Sequence, residues 1–382
     1  MLPLEWYAVV FGVAVLVTAL TTWPAISLAT RIGYVDVPKD RKVHAKTTPY
    51  GGGAAMFVGF CVAMVVASVL PGLSPVFRGS SEALGILLAG AAVFMVGLVD
   101  DIRDMSAPAK MAGQVLAASI LYFAGATMYQ FHIPLTKQFI VLSPSIIPLI
   151  TAFWVIALTN AVNLIDGLDG LASGIVAIGS AALALYGLKL QGLGLLPKSN
   201  IGPLLAIIAC GICLGFLPFN FHPAKIFMGD AGALFLGLLL AAATMLIGGR
   251  TPPASGVTYF FFAPLFLPFF ILGIPLVDMA MAFIRRTAKG TGFSTADKDH
   301  IHHRLLRLGH GHRRAVLILW GWTAILSSLV LMPLVEPRLN RFVPFAAVVA
   351  GLGLVGLFWP SRKAEEPGEA EQDATSVASS AP

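Results

Sequence analysis

The stretch Asn160-Ala161-Val162-Asn163-Leu164-Ile165-Asp166-Gly167-Leu168-Asp169-Gly170 sets two amides and two carboxylates at the end of a long apolar run. No residue between Lys137 and Asp166 is charged. Asn160, Asn163 and Asp166 recur every three residues, so on a helix they fall within about 120° of one face, one above the other. Gly167 and Gly170 then end the helix. A carboxylate in hydrocarbon costs roughly 2.5–3.5 kcal/mol on insertion scales, so acids placed there usually line a pathway or a site. The pattern therefore predicts a membrane-crossing helix that delivers polar side chains to a catalytic site at the membrane surface.

The whole chain fits that setting. Of its 382 residues, 57% are apolar and 12% charged, about half the charge of a soluble domain. Charge-poor runs at 6–30, 51–70, 83–99, 111–128, 146–165, 171–188, 201–218, 232–249, 257–284, 315–335 and 342–360 predict eleven spans, since about 20 residues of helix cross a bilayer core. The expected fold class is all-α, a polytopic integral membrane protein. An odd number of spans puts the termini on opposite sides. Loops 31–50, 100–110, 166–170, 219–231 and 285–314, with the tail, hold 18 of the 25 Lys and Arg residues. By the positive-inside rule these loops are cytoplasmic, the N-terminus external and the C-terminus internal. The +6 net charge is thus mostly a topology signal, and no nucleic-acid partner is needed to explain it. Residues 1–360 form one expected membrane domain; 361–382, rich in Ser, Ala, Glu and Pro, form an expected disordered tail. Met1–Glu5 lack the cationic start of a cleavable signal peptide, so the first run is read as a retained helix. Cys61, Cys210 and Cys213 sit in apolar runs and behave as small hydrophobes.

The internal loops carry the chemistry. The first reads from Asp36 through Lys42, His44 and Lys46 to Gly51-Gly52-Gly53. Cations beside a glycine-rich helix entry suit phosphate, and equally a juxtamembrane contact with anionic lipid. Asp100 and Asp101 end the third run, and Lys110 follows. Paired acids are poorly placed at a helix C-terminus, which prefers cations; either they are a solvated end or something cationic, such as a divalent ion, neutralises them. Asn220, His222, Lys225 and Phe227 precede Gly229-Asp230-Ala231-Gly232, where Asp230 reads as a helix N-cap, although capping leaves the crowding of the other polar residues unexplained. Asp278 and Arg285 share a helix face and either pair or line a site. Five of the eight histidines lie in the last loop, with His300, His302, His303 and Arg304 at its centre. A metal site is conceivable there, but histidines interleaved with arginines suit phosphate binding and proton transfer better.

These motifs together resemble the polyprenyl-phosphate N-acetylhexosamine-1-phosphate transferases, over nearly the whole chain to about residue 335. The resemblance rests on Asp-Val-Pro-x-x-Arg-Lys-x-His followed by Pro-x-Gly-Gly, the Asp100-Asp101 pair, Asn-x-x-Asn-x-x-Asp-Gly-x-Asp-Gly, Met-Gly-Asp-Ala-Gly and His-Ile-His-His-Arg. The last motif is similar to the bacterial branch that moves GlcNAc-1-phosphate from UDP-GlcNAc to undecaprenyl phosphate and starts cell-envelope glycans such as O-antigen or teichoic acid. The resemblance implies UMP release and dependence on Mg²⁺, with Mn²⁺ as an alternative ion. It implies that Asp230 binds the metal with Asn163, that Phe227 stacks on uracil, and that Asn220 and Asp169 help place the nucleotide. Asp100 and Asp101 would lie where the lipid phosphate meets the donor, with Asp166, His302 and His303 completing the catalytic set. Lys110 would serve the acceptor phosphate and Arg304 the pyrophosphate, while Lys42, His44, Asn160 and His300 line the substrates. Direct attack by the lipid phosphate, with Asp100 deprotonating or orienting it, is the expected route; an aspartyl-phosphate intermediate is the other. A homodimer stays open. The rival class, a transporter or flippase for a lipid-linked or anionic solute, would place its acids near the midplane, whereas here they cluster at one surface.

Overall fold

The computed structural model describes residues 4–36, 47–132, 139–250 and 311–335. Expected spans 257–284 and 342–360, the tail, Asp278, and the motif residues Lys42, His44, His300, His302, His303 and Arg304 lie outside the described residues.

Within them the chain forms α1 (Leu4–Ile32), α2 (Gly52–Val69), α3 (Glu82–Arg103), α4 (Ala107–Phe123), α5 (Ile147–Ile165), α6 (Leu171–Gly192), α7 (Gly202–Asn220), α8 (Gly229–Gly248) and α9 (His312–Val335). Seven of these, α1, α2, α3, α5, α6, α7 and α8, are long and apolar enough to cross a membrane. The expectation of a purely helical chain needs one correction. Two short antiparallel pairs, β1 (Val35–Asp36) with β2 (Thr48–Pro49) and β3 (Gln130–His132) with β4 (Phe139–Val141), close loops between helices. Strands of two or three residues have too few positions for an alternating pattern to reveal them.

The core is organised around α8, whose residues from Ala231 to Gly248 are all buried. A helix apolar on every side belongs at the centre, and α2, α3, α5 and α7 surround it. Lipid tails are as apolar as leucine, so small residues that let backbones approach closely do the joining. Gly97 of α3 is one: a methyl there would collide with the backbone of Ala231 in α8. Gly52 and Gly53 of α2 are another case, and they correct the phosphate reading of their amides. Their N–H groups donate to Phe227 O and Met228 O, both at 3.0 Å, so they tie α2 to the entry of α8.

Candidate active site

Helices that alternate in direction gather the ends of α1, α3, α5 and α7 with the starts of α2, α4, α6 and α8. Asp100 sits in the last turn of α3, Lys110 in the first turn of α4, Asn163 near the end of α5, and Asp230 is the second residue of α8. They meet. Lys110 Nζ lies 2.5 Å from Asp100 Oδ2 and also bonds Asp230 Oδ2. Asn163 Nδ2 donates to Asp230 Oδ1 at 2.7 Å, and the other Asp100 oxygen accepts the Met105 N–H at 2.7 Å. Four helices thus supply one lysine, one amide and two facing carboxylates. Asp230 is the most open of the charged groups, its side chain 30% exposed against 12% for Asp100.

Asp101 turns the other way. Its Oδ1 accepts the Asp230 N–H at 2.8 Å and its Oδ2 the Ala231 N–H at 3.2 Å. The Tyr34 hydroxyl donates to Oδ2 at 3.0 Å. The acids that looked misplaced at the end of α3 therefore have cationic partners within the protein: Lys110 for Asp100, and the positive end of α8 for Asp101. This also corrects the N-cap reading of Asp230, since Met228 occupies that position and Asp230 lies inside the helix. Gly229, at φ 68°, accepts the left-handed backbone there, and a Cβ on it would collide with Asp101 Oδ2.

Asp166 caps the end of α5. Burial, then the charges of Asp230, Asp101 and Asp169, hold its carboxyl well above the usual range. Asn160 lies nearly two turns deeper and bonds Gln114 of α4 at 2.9 Å. Asn220, expected beside the nucleotide, is 2% exposed. It accepts from the Gly170 N–H and the Ser173 hydroxyl, each at 3.1 Å, and donates to Ile226 O. It braces the two loops that flank the site instead of facing outward. The Phe227 ring stands 6.2 Å from that of Tyr50. Tyr34 and Tyr50 were not expected in this neighbourhood, since their only sequence signal is that they flank the basic first loop.

A second polar group lies alongside. Asp169 Oδ2 is 2.7 Å from His222 Nδ1 and accepts the Ala224 N–H at 3.1 Å. His222 stacks on His312 at 4.5 Å and 11°, and Arg313 Nε donates to His222 O. The donor atoms of Asp169, His222 and His312 lie within 4.8 Å of one another. Only the Asp169–His222 pair is hydrogen-bonded; His312 joins by ring stacking, and its buried Nε2 has no hydrogen-bond partner among the described residues.

Magnesium suits the first group better. It takes one or two carboxylates, keeps several waters and tolerates oxygen donors only. Asp230 offers the more exposed carboxylate, with Lys110 on one oxygen and the Asn163 amide on the other. Residues 83–248 match glycosyl transferase family 4. Over 336 residues the chain is 39% identical to the decaprenyl-phosphate N-acetylglucosaminephosphotransferase of Mycobacterium tuberculosis, covering 85% of this chain and 82% of that protein. It is 31% identical over 327 residues to the undecaprenyl-phosphate alpha-N-acetylglucosaminyl 1-phosphate transferase of Yersinia pestis (84% and 81% covered). The Escherichia coli K12 protein of the same name is 30% identical over 338 residues (86% and 83% covered). With four helices converging on the Asp100–Lys110–Asp230 group inside the matched segment, the chain belongs to glycosyl transferase family 4, among the polyprenyl-phosphate N-acetylglucosamine-1-phosphate transferases.

Proposed function

We propose that the protein transfers GlcNAc-1-phosphate from UDP-GlcNAc to a polyprenyl phosphate, undecaprenyl or decaprenyl, and releases UMP. The reading is carried by one observation: Lys110 bridges Asp100 and Asp230 across α3, α4 and α8 beside the Asn163 amide. Phosphoryl transfer asks the protein for positioning and charge neutralisation more than for covalent chemistry. An acceptor-phosphate oxygen attacks the donor's β-phosphorus, a new P–O bond forms, and the bond to the UMP oxygen breaks. Asp100 orients the acceptor or takes its remaining proton. Lys110, already between the two acids, holds the acceptor phosphate and offsets repulsion between two anionic substrates. Asp230 and Asn163 hold Mg²⁺, with Mn²⁺ as an alternative, which supplies charge neutralisation at the pyrophosphate. Asp166 belongs to the catalytic set and Asn160 to the substrate lining. Phe227 stacks on the base, and Asp169 and Asn220 shape the nucleotide end, Asn220 through the loops it braces. His302, His303, Arg304, His300, Lys42 and His44 complete the phosphate-binding surround from the two flanking loops.

The same proposal covers topology. Eleven spans in residues 1–360, an external N-terminus and a cytoplasmic tail from 361 put this end of the bundle at the inner face of a bacterial cytoplasmic membrane. A lipid phosphate resides at that surface, and the product starts a cell-envelope glycan. The test uses purified protein, Mg²⁺, undecaprenyl and decaprenyl phosphate and a panel of UDP-sugars, scored for UMP. UMP formed with UDP-GlcNAc only when lipid phosphate is present supports the proposal. No lipid-dependent UMP from any sugar rejects it.

A further inference from the structure

We infer that Asp101 is a positioning residue whose carboxylate fixes the start of α8, and with it Asp230, while its neighbour Asp100 alone faces the reacting groups; this rests on the proposed transfer reaction. Adjacent residues on a helix point about 100° apart, so a pair of acids need not share a task. The two side chains here divide sharply. Asp100 meets a lysine and a loop amide, whereas the hydrogen bonds to Asp101 among the described residues come from the Asp230 N–H, the Ala231 N–H and the Tyr34 hydroxyl.

Those two amides explain the need. The first N–H groups of a helix have no acceptor within it. In α8 the earliest such bond is Gly232 N–H to Met228 O at 3.2 Å, so the Asp230 and Ala231 amides depend on an outside group. No side chain of the helix's own N-cap supplies one. A carboxylate arriving from α3 does so with charge complementary to the helix dipole. It acts at the residue whose side chain is assigned the metal, so a shift of α8 here moves Asp230 directly. The tight seats of Gly97 against Ala231 and Gly229 against Asp101 keep the two helices at that spacing. Tyr34 extends the coupling. Burial and the charge of Asp101 push its hydroxyl well above its usual range, so it stays a donor. It stands just before β1, so one carboxylate ties the base of the first loop to α8.

The experiment pairs hydrogen–deuterium exchange with kinetics on the detergent-purified full chain and its Asp101→Asn, Asp100→Asn and Tyr34→Phe variants. In Asp101→Asn, amides 230 and 231 should exchange about tenfold faster, because the side-chain amide keeps one acceptor oxygen where the carboxylate had two and carries no charge to match the helix start. Turnover should fall about 10–100-fold with the KM for the UDP-sugar within about twofold, and half-saturating Mg²⁺ should rise about fivefold or more. Asp100→Asn should lose turnover with exchange at α8 unchanged. Tyr34→Phe should shift exchange and Mg²⁺ dependence in the same direction by a smaller factor, and it reads the coupling alone if Asp101→Asn does not fold. Loss of turnover in Asp101→Asn without faster exchange at α8 would place Asp101 on the reacting groups and overturn the inference, as would wild-type turnover in that variant, or unchanged exchange in Tyr34→Phe when it must be read alone. Absence of transfer by the wild-type chain would reject the proposed reaction instead, and the exchange result would still stand.

Discussion

The two ends of the bundle use polar residues in opposite ways. At the end away from the site, the partly buried Arg250 and the buried amides are matched. Arg250 lies 2.5 Å from Glu82, bonds Gly125 O, and covers the Tyr129 ring at 5.1 Å. Asn200 joins the Gly202 N–H to Leu246 O at 2.8 Å each, and Gln191 gathers the carbonyls of Pro197 and Asn200. At the site end, among the described residues, Asp100 and Asp230 share Lys110, with Asp101 and Asp166 beside them. The α8 helix connects the two, with Asp230 at its start and Arg250 just past its end, about 30 Å apart at 1.5 Å per residue. The first end is arranged to close a fold, and the second holds, among the described residues, more negative than positive charge around the partly exposed Asp230. Unbalanced charge is a cost to stability that substrates and a cation can offset, so the contrast marks which end works.

Substitutions can break that contrast. Lys110→Ala should lower turnover by about 100-fold or more, the size seen when one preorganised charge is removed from a reacting centre. Steady-state UMP release measures it, and turnover within a few-fold of wild type would break the contrast. Arg250→Ala should do the reverse: about 2 kcal/mol of stability lost, as expected for charged hydrogen bonds left unmade, with turnover within about threefold when assayed below the unfolding transition. Thermal unfolding in detergent reads the first and UMP release the second.

Asp166→Asn sharpens the comparison further. A carboxyl held above its usual range means that the folded protein binds this proton more tightly than the unfolded chain. Stability from this group is therefore present at low pH and is lost as pH rises from the unfolded value of about 4. The amide removes that loss. The variant should be about as stable as wild type near pH 4, more stable near pH 7, and less active. Unfolding curves across that range test it, and a constant difference with pH would contradict it. Asn160→Ala should cost the least, about 1 kcal/mol for its bond to Gln114, with a measurable rise in unfolding rate.

Much of this was legible because hydrophobic runs and polar interruptions are one-dimensional signals. The runs at 6–30, 51–70, 146–165, 171–188, 201–218 and 232–249 each lie on a helix, within a few residues. The run at 111–128 is displaced from α4, which starts at Ala107. Pro108 explains the difference, for proline suits a helix's first turn, and Lys110 sits inside the helix because the site uses it. What the sequence hides is partnership at long separation. Tyr34 and Asp101 are 67 residues apart, and Asp101 and the Asp230 amide 129. No periodicity links them. Asn220 shows the limit in another way, because its residue type suits contact with a nucleotide and bracing of two loops equally well, and the bracing is visible only in its burial and bonds.

The most direct measurement compares Asp230→Ala and Arg250→Ala in the same detergent, each followed by UMP release from UDP-GlcNAc and by thermal unfolding. Asp230→Ala should fold and show no transfer above background, and Arg250→Ala should unfold at lower temperature while still transferring. Wild-type turnover by a folded Asp230→Ala protein would contradict this expectation.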